Sequence, residues 1–133
     1  MFEFSSSSLC KLNSVHPDLI RVAKKAIKIS KIDFGVTCGA RSYSEQVELV
    51  RNGDSHDLHS LHLIQDDGYA HAIDVAAWFN GRISWNNAHY GPIVQAFITA
   101  ATSLEIQLEF GHLWPRFQDS VHVQLNPKYH KSL

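Results

Sequence analysis

Long apolar runs, paired cysteines and blocks of like charge are all missing from this chain of 133 residues. No apolar stretch approaches the roughly 20 residues that a membrane helix needs, so membrane insertion is not expected. The start, Met1-Phe2-Glu3-Phe4 followed by Ser5 to Ser8, has neither a basic region nor an apolar core, and so does not read as a secretory signal. The chain is expected to be made in the cytosol and to stay there in soluble form. The two cysteines, Cys10 and Cys38, make no disulfide framework. Neither sits in a Cys-x-x-Cys, so thiolate ligation of zinc is not expected and both read as reduced, inert thiols. Twelve Lys and Arg against thirteen Asp and Glu give a net charge of −1 with no basic patch, which argues against a nucleic-acid partner. Internal repeats and linkers are also absent, so residues 1–133 read as a single domain, and as a monomer. With 44% hydrophobic and 19% charged residues, that domain can bury a core.

Histidine is what the chain has in excess, with nine. Such a count points to metal or acid–base work, or to drift in composition. The densest stretch, His59 to Trp78, holds three imidazoles and three carboxylates and ends in the apolar run Ile73 to Trp78. A second cluster, Asp119-Ser120-Val121-His122-Val123-Gln124-Leu125, lies near the C-terminus.

Periodicity gives the frame. Residues 1–13 read as a polar lead-in that docks late or stays loose. A helix opens at His16-Pro17, with proline at its first position and Asp18 in its positive first turn. Leu19, Val22, Ala23, Ala26 and Ile27 form one apolar stripe along it. Asp33 to Gly39 reads as a short strand ended by glycine. Ser42 and Glu45 make a capping box for a helix through about Arg51, which Asn52-Gly53 stops. Arg41 therefore stands at a strand-to-helix junction, where it either serves a site or is simply solvated. Residues 53–72 form a polar loop longer than most connections in compact domains. Ile73 to Trp78 is a strand, Asn80-Gly81 a hairpin turn, and Ala88 to about Leu104 a helix with Ile93, Ala96, Phe97, Ala100, Ala101 and Leu104 on one face. Strands at Ile106–Phe110 and Val121–Leu125 flank a loop, and a tail begins at Lys128. This order is α+β: a small, mostly antiparallel sheet flanked by about three helices.

A catalytic zinc takes three ligands from His, Asp or Glu and keeps a position for water. A carboxylate beside it, but not bound to it, can carry the proton. The chain offers such parts: His62 in the loop, Asp74 in the next strand, His122 in the last strand, and Asp119 three residues before His122. The residues alone leave other readings open. Asp74 could be an ordinary strand-end carboxylate, and His122 a half-buried strand histidine with a hydrogen-bond partner.

Ser60-Leu61-His62, followed by Ala70-His71-Ala72-Ile73-Asp74, resembles the Ser-x-His…Gly-x-Ala-x-Asp motif of the peptidase M15 family of zinc D-Ala-D-Ala peptidases and phage endolysins. Asp119-Ser120-Val121-His122 resembles its second motif, Asp/Glu-x-x-His. Val15-His16-Pro17-Asp18-Leu19, Val36-Thr37-Cys38-Gly39-Ala40-Arg41-Ser42, Gly81-Arg82-Ile83-Ser84-Trp85 and Phe110-Gly111-His112-Leu113-Trp114 are similar to the phage L-alanyl-D-glutamate endolysin branch. The resemblance runs from about residue 9 to 125. It implies zinc ligated by His62, Asp74 and His122 at one edge of the sheet, Asp119 as general base, and Arg41 binding substrate charge or polarising the carbonyl. It also implies a zinc metallopeptidase that cuts peptidoglycan stem peptides at L-Ala–D-Glu. Such an endolysin waits in the host cytoplasm until lysis and then acts on the wall from the periplasm.

Two departures matter. Eleven residues separate His62 from Asp74, more than in the family, which suggests an insertion within Ile64 to Tyr69 that leaves Asp66 and Asp67 solvated. Ala70 also stands where the motif has glycine. Both leave His59 and His71 as competitors for the first ligand, although His71 and Asp74 would face opposite sides of an extended strand. Trp114 is a candidate for the groove wall. The alternatives to an endolysin are a D-Ala-D-Ala dipeptidase or carboxypeptidase, and a peptidoglycan-binding module without activity.

Overall fold

A computed structural model describes residues 1–53, 59–113 and 122–129. The elements run α1 (Ser6–Lys11), α2 (Pro17–Ile29), β1 (Asp33–Cys38), α3 (Tyr43–Arg51), β2 (Ala72–Phe79), β3 (Arg82–Ser84), α4 (Asn87–Leu104), β4 (Leu108–Phe110), a 3-10 turn (Gly111–Leu113) and β5 (His122–Leu125). All strand pairs are antiparallel. The path is β1-β2-β5-β4, with β3 pairing the far end of β2. The fold is α+β with one helix more than expected.

That extra helix is α1. The lead-in has no apolar stripe, yet Ser5 caps the helix and Ser8 is buried against the sheet. There the Ser8 hydroxyl accepts the Val36 N–H at 3.0 Å. That hydrogen bond docks the segment together with Phe4, which packs edge-on to Phe34, and the buried Leu12.

The other helices follow the sequence signals. The α2 stripe from Leu19 to Ile27 is buried, and His16 caps the helix by accepting the Asp18 N–H through Nδ1 at 3.0 Å. The α3 capping box has both of its hydrogen bonds. α2 and α4 share one core with the sheet residues Phe34, Val36, Ile73, Val75, Ala77, Val123 and Leu125. Alternation along the strands turns the residues between these toward the other face.

The long loop is organised at its inserted part. Ile64 and Ala70 pair as an antiparallel bridge, the Gln65 N–H donates to the Tyr69 carbonyl at 2.9 Å, and Gly68 turns the chain at φ +88°. The insertion thus closes on itself, and the residues on either side stay in place. Ala70 is fully buried and is not among the non-glycine residues at positive φ, so the position does not need glycine.

Asp67 is exposed, as expected, but it is not without partners. His71 Nε2 lies 2.6 Å from its Oδ2, and His16 Nε2 lies 3.8 Å away. Burial pushes the Asp67 carboxyl up, but the His71 hydrogen bond, the Tyr69 N–H and the two imidazole charges outweigh it and hold it below its usual range. This is a depressed acid, so its stabilisation is present above about pH 4 and is lost as pH falls through the lower folded value. Because the carboxylate is 40% exposed, Asp67→Asn is expected to cost less than about 1 kcal/mol at neutral pH. The wild-type and variant melting curves should converge in acid.

Candidate metal centre

Three neighbouring strands line up three side chains. Cys38 of β1 is the partner of Asp74 of β2, and Asp74 is the partner of His122 of β5. Residues directly opposed across antiparallel strands share a face. Ile73 and Val75 enter the core, so Asp74 faces away from it; Val123 does the same for His122. Cys38 reaches this row by a different route. Strict alternation after the buried Phe34 and Val36 would send it into the core. A register shift between Val36 and Cys38 adds one residue to β1, so that Cys38 opposes Asp74. Bulges of this kind re-aim side chains next to functional sites.

His62 comes in from the loop and is 2% exposed. Its carbonyl accepts the Arg41 N–H at 2.8 Å, and the preceding Leu61 carbonyl accepts the His71 N–H at 2.8 Å. Those bonds fix it from both sides.

The ring nitrogens carry the argument. His62 Nδ1 lies 2.9 Å from the Gly39 carbonyl, an acceptor, so Nδ1 holds the proton. His62 Nε2 then faces Asp74 Oδ1 at 3.2 Å. On the other side Gln124 donates its amide to Glu109 at 2.9 Å, which turns its oxygen toward His122 Nε2 at 2.7 Å. That nitrogen carries the proton too, and His122 Nδ1 faces the same Asp74 oxygen at 3.3 Å. Two imidazole lone pairs and a carboxylate therefore converge, while each outer nitrogen is pinned by an acceptor. Such outer partners are what orient imidazoles on a metal. Converging donor atoms repel one another unless a cation stands among them, and of these residues His62 and Asp74, together with Cys38, are close enough to share one.

Electrostatics agree. Burial pushes the Asp74 carboxyl up, but hydrogen bonds and charge from His122 and His62 outweigh it and hold it well below the usual carboxylate range. Burial pulls His62 down, but Asp74 and Cys38 outweigh it and raise it to about 9. Without a metal, the cation in this cluster is a proton on His62.

Arg41 closes the site. Its Nη1 donates to the buried Gln46 at 2.6 Å, while Nη2 lies 3.3 Å from Cys38 Sγ and 3.7 Å from Asp74 Oδ2. Burial pushes the Cys38 thiol up, but His62 and Arg41 outweigh it and bring it below its usual value.

The structure thus brings together His62, Asp74, His122 and Arg41. Asp119 and Trp114 lie outside the described residues. Among the described residues two groups are close enough to share an ion: Cys38, His62 and Asp74, and separately His16, Asp67 and His71. His59 and His122 are in neither, although His122 Nδ1 lies 3.3 Å from Asp74 Oδ1, and His71 is in the second, away from Asp74. In that second group His16 Nδ1 already accepts the Asp18 N–H, so its Nε2 holds a proton and has no lone pair for a metal. Cys38 was expected to be inert, yet it stands in the first group. The reason is the bulge, which no local pattern announces. Gln124 was also missed, although a residue two places from His122 on an alternating strand shares its face.

The family model for phage L-alanyl-D-glutamate peptidase matches residues 1–128. The chain belongs to the phage L-alanyl-D-glutamate peptidase family. Among curated proteins, the L-alanyl-D-glutamate peptidase of Escherichia phage T5 is 33% identical over 117 residues, covering 85% of this chain and 82% of that protein. Among solved structures, the L-Ala D-Glu endopeptidase ChiX of Serratia marcescens is similar at a TM-score of 0.84 and 38% identity, covering 94% of this chain and 90% of that one. Membership of the L-alanyl-D-glutamate peptidase family extends over both clusters of the sequence and all five strands of the sheet.

Proposed function

We propose that the chain is a zinc peptidase that hydrolyses the L-Ala–D-Glu bond of peptidoglycan stem peptides. Its role is that of an endolysin, held in the host cytoplasm as a single-domain monomer until it reaches the wall. The family and both similar proteins support the bond. No helix among the described residues is long and apolar enough to cross a membrane. The observation that carries the chemistry is the convergence of His62 Nε2, Asp74 Oδ1 and His122 Nδ1, with both outer imidazole nitrogens already pinned.

A two-histidine, one-carboxylate set with an open position is one that catalytic zinc sites use. When bound, zinc supplies a water acidic enough to react near neutral pH and an electrophile for the carbonyl. The chain's own residues do the rest. Gly39 and the Gln124–Glu109 pair keep the two imidazoles in the required tautomers. Arg41, held by Gln46, offers a fixed guanidinium to a substrate carboxylate or a developing oxyanion. Asp119, three residues before His122, takes the proton of the attacking water and returns it to the leaving amine.

Digestion of purified stem-peptide fragments followed by mass spectrometry tests the bond. Products split between L-Ala and D-Glu are expected. Release of terminal D-Ala with L-Ala–D-Glu intact would instead make the chain a D-Ala-D-Ala peptidase, and an inert chain that holds no zinc would make it a binding module. Asp119→Ala is expected to keep its metal and lose about two to four orders of magnitude in rate, because both proton transfers fail. Unchanged activity would remove Asp119 from the reaction.

A further inference from the structure

The proposed reaction leaves one side chain of the site unused. Cys38 is placed there by an added residue in β1, opposite Asp74 on the same face. Its sulfur, one His62 nitrogen and one Asp74 oxygen all lie within 4.8 Å of one another. Sulfur is among the strongest donors zinc meets in proteins, and a three-ligand ion has room for a fourth. Arg41 Nη2 lies 3.3 Å from the same sulfur, so a charged donor stands ready to take it when it leaves the ion.

We propose that Cys38 is a fourth protein ligand of the resting ion, one that must give way before water or substrate can occupy its position. The inference rests on the reading that His62, Asp74 and His122 hold a metal. Four protein ligands close an ion to water, as in structural sites, whereas three leave it open. The resting enzyme is therefore braked. Arg41 holds the displaced sulfur when the substrate arrives, and the same guanidinium that steadies the substrate keeps the brake off. The other thiol, Cys10, is exposed on α1 and serves as an internal control.

The test loads the metal-free protein with cobalt(II) and records its absorption. The expected spectrum has visible d–d bands and an intense near-ultraviolet sulfur-to-metal charge-transfer band. Cys38→Ser and Cys38→Ala should keep the d–d bands and lose the charge-transfer band, and Cys10→Ser should keep both. In chelator competition the Cys38 variants are expected to hold metal about tenfold or more weakly. A wild-type spectrum with d–d bands and no charge-transfer band overturns the proposal and leaves the three-ligand site standing. A folded wild type that takes up no cobalt overturns both. The wild-type spectrum decides the matter even if a Cys38 variant fails to fold.

Discussion

Asp74→Asn is expected to strip the metal and lower turnover by about three orders of magnitude or more. The carboxylate oxygen stands 3.2 Å from His62 Nε2 and 3.3 Å from His122 Nδ1, so both imidazoles are organised around it. An amide of the same shape keeps the packing but removes the negative charge that holds a cation there. Chelator competition and stem-peptide digestion check the two losses together; full metal retention in the variant would take Asp74 out of the ligand set. The metal-free protein gives a second readout. His62 is raised to about 9, so the stability it lends is complete below its unfolded value near 6.5 and is lost as pH rises through about 9. Asp74 is shifted the other way and stays charged across this window. A shift of this size corresponds to at most about 3 kcal/mol. Thermal melts of the chelated wild type should fall between pH 6.5 and 9, and those of Asp74→Asn should stay nearly flat. Parallel curves would mean that the pair does not couple to folding.

What could be read from the sequence was local. The α2 stripe, the Ser42–Glu45 capping box and the Asn80-Gly81 turn depend on residues a few places apart, and each appears where expected. Asn80 and Gly81 both take positive φ, the conformation that such a hairpin turn requires. The meeting of residues 74 and 122 depends on pairing β2 with β5. No spacing rule reaches across that distance, and the resemblance to a family supplied it. The insertion could be seen as extra length, but its effect could not. The Ile64–Ala70 bridge closes it into a hairpin, which is why His62 and Asp74 still meet across eleven residues. Cys38 shows the limit most clearly. Its residue type and spacing argued for an inert thiol, and one added residue in β1 turned it from the core face into the site. α1 escaped notice for a related reason, since Ser8 is held by a hydrogen bond to Val36 on a strand 28 positions away.

Gly39→Ala is expected to destabilise the fold by about 3 kcal/mol and to loosen the metal site about tenfold or more. Gly39 is not at positive φ, so the reason is space alone. A Cβ there would fall on the carbonyl oxygen of Lys11, at the end of α1, and come within 3.1 Å of Val15 Cγ2. The obstacle is backbone, which no rotamer change can move aside. The chain after β1 and the end of α1 must therefore separate. That separation acts directly on the centre, because the Gly39 carbonyl pins His62 Nδ1 at 2.9 Å and Arg41, two residues on, binds the His62 carbonyl. A shifted carbonyl frees the imidazole to rotate or to change tautomer, and the metal then loses an oriented donor. Urea unfolding of the metal-free protein measures the packing cost, and chelator competition measures the loss at the site. If the variant loses stability but keeps its metal, the Gly39–His62 hydrogen bond does not orient the ligand. If it keeps both, the close approach of the two backbones is not a constraint on this fold.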